Sequence, residues 1–527
     1  MGDFSKGGRA TKNREFLKTY LPPILVTLLA MALQLYGLDS KSLWFDELAT
    51  LTGAGWEGSW LDSIQKPLTI PITPKPPLSY VVTHLFLLLG DQVFFLRFPS
   101  TLFATLTIPL TYVLGRTLFD RQVGLLGAFL LALAPLHLRY AQEARMYAMW
   151  TFFSLLSLYL FWRAVRSQDA RWWILFAAVT ILALYTHLFA LLALGVVTLF
   201  ALLLLVRPRT RAQFPFQSRH FAVALAVILL AYVPMLPFLT KGLVSGEGLG
   251  GEAAPSWDLS VLMNALGLFS AGNATGSVIY VFLLAVGAVV LARKSRKALI
   301  LAIMWIALPF IFVLSLPFGH NVRIRYFLFA LPFYLLVVAY GLCIAAQWVA
   351  PRASHLMPRL NLKGANALVS VILLGILVVI SAPSIAAYYA ETKQNWRDAT
   401  QLVCTLAEPG DQIFVRHVYH QVGVLFYARH LCGDPTIWTE ANVQVFSRSL
   451  AGMLSPDDYQ KKWLIVPHRD EFLPGGSLEA SIQPHHHLLP PTVFRALRVP
   501  KEWGIIAPTA FRTLAVVPVV PSKPASF

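Results

Sequence analysis

Leu78-Ser79-Tyr80-Val81-Val82-Thr83-His84-Leu85-Phe86-Leu87-Leu88-Leu89-Gly90 is apolar enough to enter a membrane, and whether it crosses decides the side of every later loop. As a helix this stretch reaches about 20 Å, short of the ~30 Å of a hydrocarbon core. Loop charge supplies the second criterion. If 78–90 does not cross, one side collects Arg116/Arg121, Arg163/Arg166/Arg171, Arg207/Arg209/Arg211/Arg219, Arg293/Lys294/Arg296/Lys297 and Arg352/Arg359/Lys363. The basic N-terminal run (Lys6, Arg9, Lys12, Arg14, Lys18) joins them, and the loop 240–275, where Lys241 is the only basic residue, faces the other side. That is the asymmetry of the positive-inside rule. The stretch is therefore read as a helix lying on the outer surface.

Working outward, the chain of 527 residues is 57% hydrophobic and 13% charged, with a mean hydropathy of +0.62, which excludes an ordinary soluble protein. Span-length apolar blocks lie at about 21–38, 98–115, 123–141, 146–163, 172–186, 187–206, 221–239, 276–292, 298–317, 326–349 and 365–386, about eleven in all. The first is read as an uncleaved span with a cytoplasmic N-terminus rather than a signal peptide. The formal charge of +17 is spent on topology, so nucleic acid is not expected as a partner. After about 390 no apolar run is long enough to span. Patches at Trp396–Ala407, Asp411–Val415, His420–Arg429, Trp463–Val466 and Leu514–Val520 alternate helix-like and strand-like, which predicts a small α/β domain on the outer side. Ile505–Pro521 is too broken by proline to span. The expected division is 1–390, with 39–97 as the first outer loop, and 391–527. Deleting the chain after about 395 is expected to spare donor binding and impair acceptor choice. Cys343 reads as packing, whereas Cys404 and Cys432 are predicted to pair if their segment is extracytoplasmic.

Four clusters on the outer side carry chemistry. Trp44-Phe45-Asp46-Glu47 places two carboxylates beside interfacial aromatics. They suit a general base, or equally a helix N-terminus favoured by the dipole. Lys75 in Thr73-Pro74-Lys75-Pro76-Pro77 is held by extended backbone and suits a phosphate, or snorkels to lipid heads. Gln142-Glu143-Ala144-Arg145-Met146-Tyr147, preceded by His137, Arg139 and Tyr140, is more polar than a turn between spans requires, although Glu143 and Arg145 as a structural ion pair explain it as well. Arg323-Ile324-Arg325-Tyr326, after Gly319-His320-Asn321, puts arginines on the side that lacks them, for an anionic ligand or for lipid headgroups. His187 reads as a structural hydrogen-bond donor, His485-His486-His487 as a solvated loop, and Asn273-Ala274-Thr275 as a formal glycosylation sequon.

In that order these motifs resemble the bacterial GT-C membrane glycosyltransferases of the protein O-mannosyltransferase and lipid A aminoarabinose transferase type. The resemblance is best over about 40–165 and looser to 390, and Arg325-Tyr326 followed by Pro332 extends it. Asn395-Trp396-Arg397-Asp398 and Pro409-Gly410-Asp411 look like the outer domain of some members. The resemblance implies an α-helical polytopic protein with juxtamembrane helices on its outer face. It implies a polyprenyl-phosphate-linked sugar donor and inverting transfer outside a bacterial plasma membrane. Asp46 matches the catalytic carboxylate; Glu47 and Glu143 are further acidic candidates. Lys75, Arg145, Arg325 and Tyr326 are candidates for the donor phosphate, and Trp44, Tyr147 and His187 for substrate positioning. A divalent cation, Mg or Mn, held by Asp46 and Glu143 is left open. The acceptor is a protein, a lipid or a glycan, and a monomer is expected. The competing readings are a transporter or flippase for lipid-linked sugars and a non-catalytic assembly subunit. Transport wants polar groups near mid-membrane, and the spans here are almost wholly apolar.

Overall fold

Leu78–Leu87 forms a helix of ten residues, about 15 Å long and too short to cross a bilayer. The computed structural model describes residues 4–69, 75–167, 169–206, 218–238, 259–315, 324–357, 359, 361–408, 411–432, 438–439, 442–445, 462–467, 486–488, 492–495 and 513–521. Thr73, Pro74, Arg207, Arg209, Arg211, Lys241, Gly319–Arg323, Pro409, Gly410 and His485 lie outside the described residues, as do the side chains of Lys6, Arg9, Lys12, Arg14 and Lys18.

Among the described residues seven helices are long and apolar enough to cross a membrane: Val93–Leu118, Tyr147–Val165, Ser218–Phe238, Ala274–Lys294, Arg296–Val313, Ile324–Leu356 and Leu362–Ala390. Arg121–Ala132 and Pro135–Ala141 pass the same test only as a pair, bent by 62°, the shape of a broken span or a re-entrant loop. The bend has a local cause: Ala134 precedes a proline and is extended (φ −71°, ψ 117°), as the clash with a proline ring demands. Three shorter apolar helices, Thr19–Leu35, Arg171–Thr186 and Ala190–Val206, occupy the remaining expected spans. Helices Asp62–Thr69 and Leu259–Phe269 were not foreseen by the hydropathy pattern.

The bundle is built around Ile324–Leu356, 94% buried over its apolar window. Its helical part, Leu331–Leu356, packs on Ala274–Lys294, Arg121–Ala132 and Leu362–Ala390. Glycine permits the closest approach, because a Cβ on Gly341 would stand 1.9 Å from the carbonyl oxygen of Leu283. No side chain fits there without moving a backbone.

The C-terminal segment folds as helix Trp396–Leu406, β1 (Gln412–Val415), helix Val418–Leu431, β2 (Val443–Val445), β3 (Lys462–Pro467), β4 (His486–Leu488), β5 (Thr492–Arg495) and β6 (Thr513–Pro521). The strand order is β2-β1-β3-β6-β4, with β5 also on β6. β1 runs parallel to β2 and β3, while β6 is antiparallel to β3, β4 and β5. His486 and His487 are therefore strand residues, paired with Pro521 and Val520, where a loop was expected. Cys404 and Cys432 close the ends of the two helices with a disulfide, Cα to Cα 5.3 Å.

This α/β segment shares a core with the loop that follows the first helix. Leu43, Leu48, Leu51, Val93 and Leu96 are buried in one cluster with Trp396, Val403, Ile413, Val424, Phe426, Trp463 and Ile465. Helix Val418–Leu431 lies so close to helix Phe45–Gly53 that a Cβ on Gly423 would meet Leu48 Cδ1 at 2.8 Å.

Candidate active site

Trp44 is extended (φ −115°, ψ 172°) and starts the helix Phe45–Gly53. Asp46 and Glu47 fall in its first turn, where the helix dipole favours negative charge. The Trp44 N–H donates to Glu47 Oε2 at 3.4 Å, half of a capping box. The helix stops at Gly55, whose φ of +67° suits glycine alone. Helix Leu78–Leu87 is fixed against it: His84 Nδ1 meets the Ala54 carbonyl at 2.9 Å, and a Cβ on Gly53 would strike the Tyr80 ring at 2.7 Å. Lys75, just ahead of this helix, donates its backbone N–H to the Pro67 carbonyl at 2.9 Å.

The two adjacent carboxylates have different surroundings. Glu47 is fully buried. Its Oε1 accepts from Arg97 Nε at 2.8 Å and the Ala144 N–H at 3.0 Å, and its Oε2 from Arg97 Nη2 at 2.9 Å and Lys393 Nζ at 3.0 Å. Burial opposes its charge, but Arg97, Lys393 and the Ala144 N–H outweigh burial and hold the carboxyl down at about 2. Glu47 thus has no lone pair left for a substrate. The structure makes it the tie between the first loop, the Glu143–Arg145 turn and the C-terminal segment, in place of the reacting role expected for it.

Asp46, one residue earlier, is 21% exposed and faces Arg325 Nη1 across 2.9 Å. Its own backbone carbonyl accepts from Arg145 Nη1 at 3.0 Å, which also donates to Thr50 Oγ1 at 3.1 Å. Burial raises the Asp46 carboxyl, and Arg145, Arg325 and Lys75 together bring it below the ordinary carboxylate value. Lys75 is lowered to about 8 by its own burial and by the neighbouring Arg145, with Asp46 opposing. Glu143 is buried and its carboxyl is raised by desolvation. It forms no ion pair with Arg145; instead the Arg145 N–H donates to the Glu143 carbonyl at 2.7 Å.

Aromatic rings line this cluster. Arg325 lies 5.5 Å from the Tyr147 ring and 5.8 Å from that of Tyr326, and Arg145 lies 5.9 Å from Tyr147. His187 stacks on Trp150 at 4.4 Å and stands 6.1 Å from Tyr326. Its Nδ1 accepts from the Phe189 N–H at 3.1 Å, so the imidazole is an acceptor there, where a donor was expected. In this region Trp44 Nε1, Asp46 Oδ2, Glu143 Oε1, Arg145 Nε, Trp150 Nε1 and Arg325 Nε are buried without a hydrogen-bond partner, the Asp46 oxygen being met by Arg325 as an ion pair. Buried polar atoms are rarely left so.

A divalent cation does not fit this donor set. Among the described residues no three His, Cys, Asp or Glu side chains group to hold a metal. Asp46 is already paired with Arg325, and Arg145 and Lys75 act on the same carboxylate.

Arg97 and Lys393 escaped the sequence reading. Arg97 is 1% exposed and also donates to the carbonyls of Leu38, Lys41 and Ser42. A lone arginine opening an apolar span was the available signal. Lys393 had none, since its partner Glu47 lies 346 residues away. Arg139 and Glu391 form a further, partly buried pair, and Gln142, expected near the chemistry, is used up by Gln34, Tyr36 and Tyr388.

The family model for dolichyl-phosphate-mannose-protein mannosyltransferase matches residues 74–238. No curated protein matches the chain. Among solved structures, ArnT from Cupriavidus metallidurans in the apo state superposes with a TM-score of 0.56 at 14% identity, over 94% of this chain and 97% of that one. The same protein bound to undecaprenyl phosphate gives 0.56 at 15%, with the same coverage. The archaeal oligosaccharyltransferase AglB from Archaeoglobus fulgidus, in complex with an inhibitory peptide and a dolichol-phosphate, gives 0.53 at 12%, over 79% of this chain and 64% of that one. At such identities the likeness is one of fold.

Proposed function

Because the chain is a multi-pass membrane protein of the GT-C glycosyltransferase fold, we propose that it moves a sugar from a polyprenyl-phosphate donor to an acceptor hydroxyl or amine on the extracytoplasmic face. The observation that carries this reading is the Asp46–Arg325 pair at 2.9 Å, with Arg145 and Lys75 acting on the same carboxylate. Three cations suit a departing phosphate, and the carboxylate among them is placed to take the acceptor's proton once the phosphate shares those cations. The binding of undecaprenyl phosphate to ArnT supports the donor class.

In the proposed step the acceptor heteroatom gives its proton to Asp46 and attacks the anomeric carbon. The bond from that carbon to the phosphate oxygen breaks, its electron pair leaves with polyprenyl phosphate, and the configuration inverts. Arg325, Arg145 and Lys75 stabilise the charge growing on the phosphate, an electrostatic role in which losing one donor costs about 10²–10³ in rate. Tyr147, Tyr326 and Trp44 wall the site. Glu143, buried with its carboxyl raised by desolvation, positions substrate. Residues 1–390 supply the donor cations and Asp46, and 391–527 form an extracytoplasmic domain packed on them, in a monomer of a bacterial plasma membrane with its N-terminus in the cytoplasm.

The test compares cells carrying wild type or Asp46→Asn at equal expression by lipid and glycan mass spectrometry. Loss of the base slows transfer by about 10²–10⁴. A polyprenyl-phosphate sugar then accumulates while one surface glycan loses that sugar. A variant indistinguishable from wild type, where a null strain differs, ends the assignment of Asp46 as base.

A further inference from the structure

The mechanism above uses the cations on one side of Asp46 and leaves its other side unexplained. Phe45, the preceding residue, meets the rings of His417 (5.2 Å, interplanar angle 65°), Tyr419 (5.3 Å, 66°) and His420 (5.7 Å, 73°). His417 and Tyr419 lie 4.6 Å apart. All three partners come from the start of the helix Val418–Leu431, in the C-terminal segment. Local bonding holds the group in place: His417 Nδ1 accepts from the Tyr419 N–H at 3.1 Å, the Phe45 N–H donates to Gln394 Oε1 at 3.1 Å, and the His420 ring lies tilted against that of Trp396, centroids 4.6 Å apart.

Two features separate this group from ordinary core. His417 and Tyr419 remain partly exposed, whereas His420 is 3% exposed with neither ring nitrogen bonded. The Tyr419 hydroxyl is also within electrostatic reach of Arg145 and Asp46. Rings with accessible faces and polar edges next to a carboxylate suit a partner with an apolar face and a rim of hydroxyls. A pyranose has that shape; an extended peptide wants main-chain hydrogen bonds or a strand edge, which this group does not offer.

We propose that Phe45, His417 and Tyr419 form the acceptor subsite, and that the acceptor presents a saccharide ring stacked on Tyr419 with its hydroxyl towards Asp46. The membrane bundle then supplies the donor cations and the C-terminal segment supplies the acceptor platform. This rests on the glycosyltransferase reading.

The test uses the full-length purified protein and saturation-transfer NMR with methyl α-D-mannopyranoside, methyl β-D-glucopyranoside and a serine/threonine hexapeptide as probes. Undecaprenyl phosphate binding is measured separately, and its retention shows that each variant is folded. Expected are a saccharide signal in wild type, a fall of about tenfold in Tyr419→Ala, and near-complete retention in Tyr419→Phe, which keeps the ring. The signal should persist when mannosyl-phospho-undecaprenol is added. Four results overturn the proposal: no saccharide signal, a signal indifferent to Tyr419→Ala, a peptide signal sensitive to it, or displacement by the lipid-linked sugar, which would make the platform part of the donor subsite. Failure of wild type to bind undecaprenyl phosphate instead strikes the underlying transferase reading.

Discussion

Asp46 is held ionised by the cations that the donor phosphate is proposed to claim. While Arg325 faces it at 2.9 Å, it is a weak base. Arg145, Arg325 and Lys75 outweigh the burial that would raise it. An incoming phosphate shares those cations and adds a negative charge nearby, and both effects raise the carboxyl towards useful basicity. The sign of the consequence is fixed. The acid limb of kcat/KM, which reports the free protein, should lie below the ordinary Asp range, and the acid limb of kcat, which reports the complex, at higher pH. Coincident limbs in a pH–rate profile would separate Asp46 from the phosphate. Asp46 was legible because its motif is contiguous, and Lys75, Arg145 and Arg325 because each sits in a polar patch between apolar blocks. The distinct fates of Asp46 and Glu47 were not legible, since they depend on Arg97, Ala144 and Lys393, which lie far away in the chain.

At the scale of the element, the helix Phe45–Gly53 is short and gains most of its order from what it packs against. Glu47 fastens it. Replacing this carboxylate leaves Arg97 buried and unneutralised, and breaking a buried pair in this way costs about 3–5 kcal/mol. Glu47→Gln is therefore expected to lower thermal stability in detergent and to reduce activity through the displaced Asp46. Unchanged melting together with unchanged rate would deny Glu47 this role. Its carboxyl lies at about 2, below its ordinary 4.5. Its contribution to stability is therefore complete above pH 4.5 and is lost as pH falls from there towards 2. Hydropathy and loop charge located the apolar helices and Leu78–Leu87. They missed Asp62–Thr69 and Leu259–Phe269, whose eight and eleven residues are too short for a window tuned to spans. The strand placement of His486 and His487 comes from pairing with β6, which local composition does not encode.

Across the whole molecule, the core shared by Leu43, Leu48 and Leu51 with Trp396, Ile413 and Val424 reverses an expectation drawn from the sequence. Removing the chain after about 395 uncovers that cluster, so deletion should abolish undecaprenyl phosphate binding along with acceptor transfer. A truncated protein that binds the lipid with wild-type affinity would show that the first loop stands alone. The sequence shows an α/β segment following a bundle, but a core assembled from both is a property of the fold.

That assembly also has a clock. The first loop emerges early in synthesis, yet the Lys393 ammonium that completes the Glu47 cluster follows it by 346 residues. At ~5–20 residues per second the ribosome needs roughly 20–70 s to deliver it. For that interval the Arg97–Glu47 pair lacks its third member. A chain terminated before Lys393 leaves this buried cluster unfinished, with Glu47 short of one of its two cationic partners.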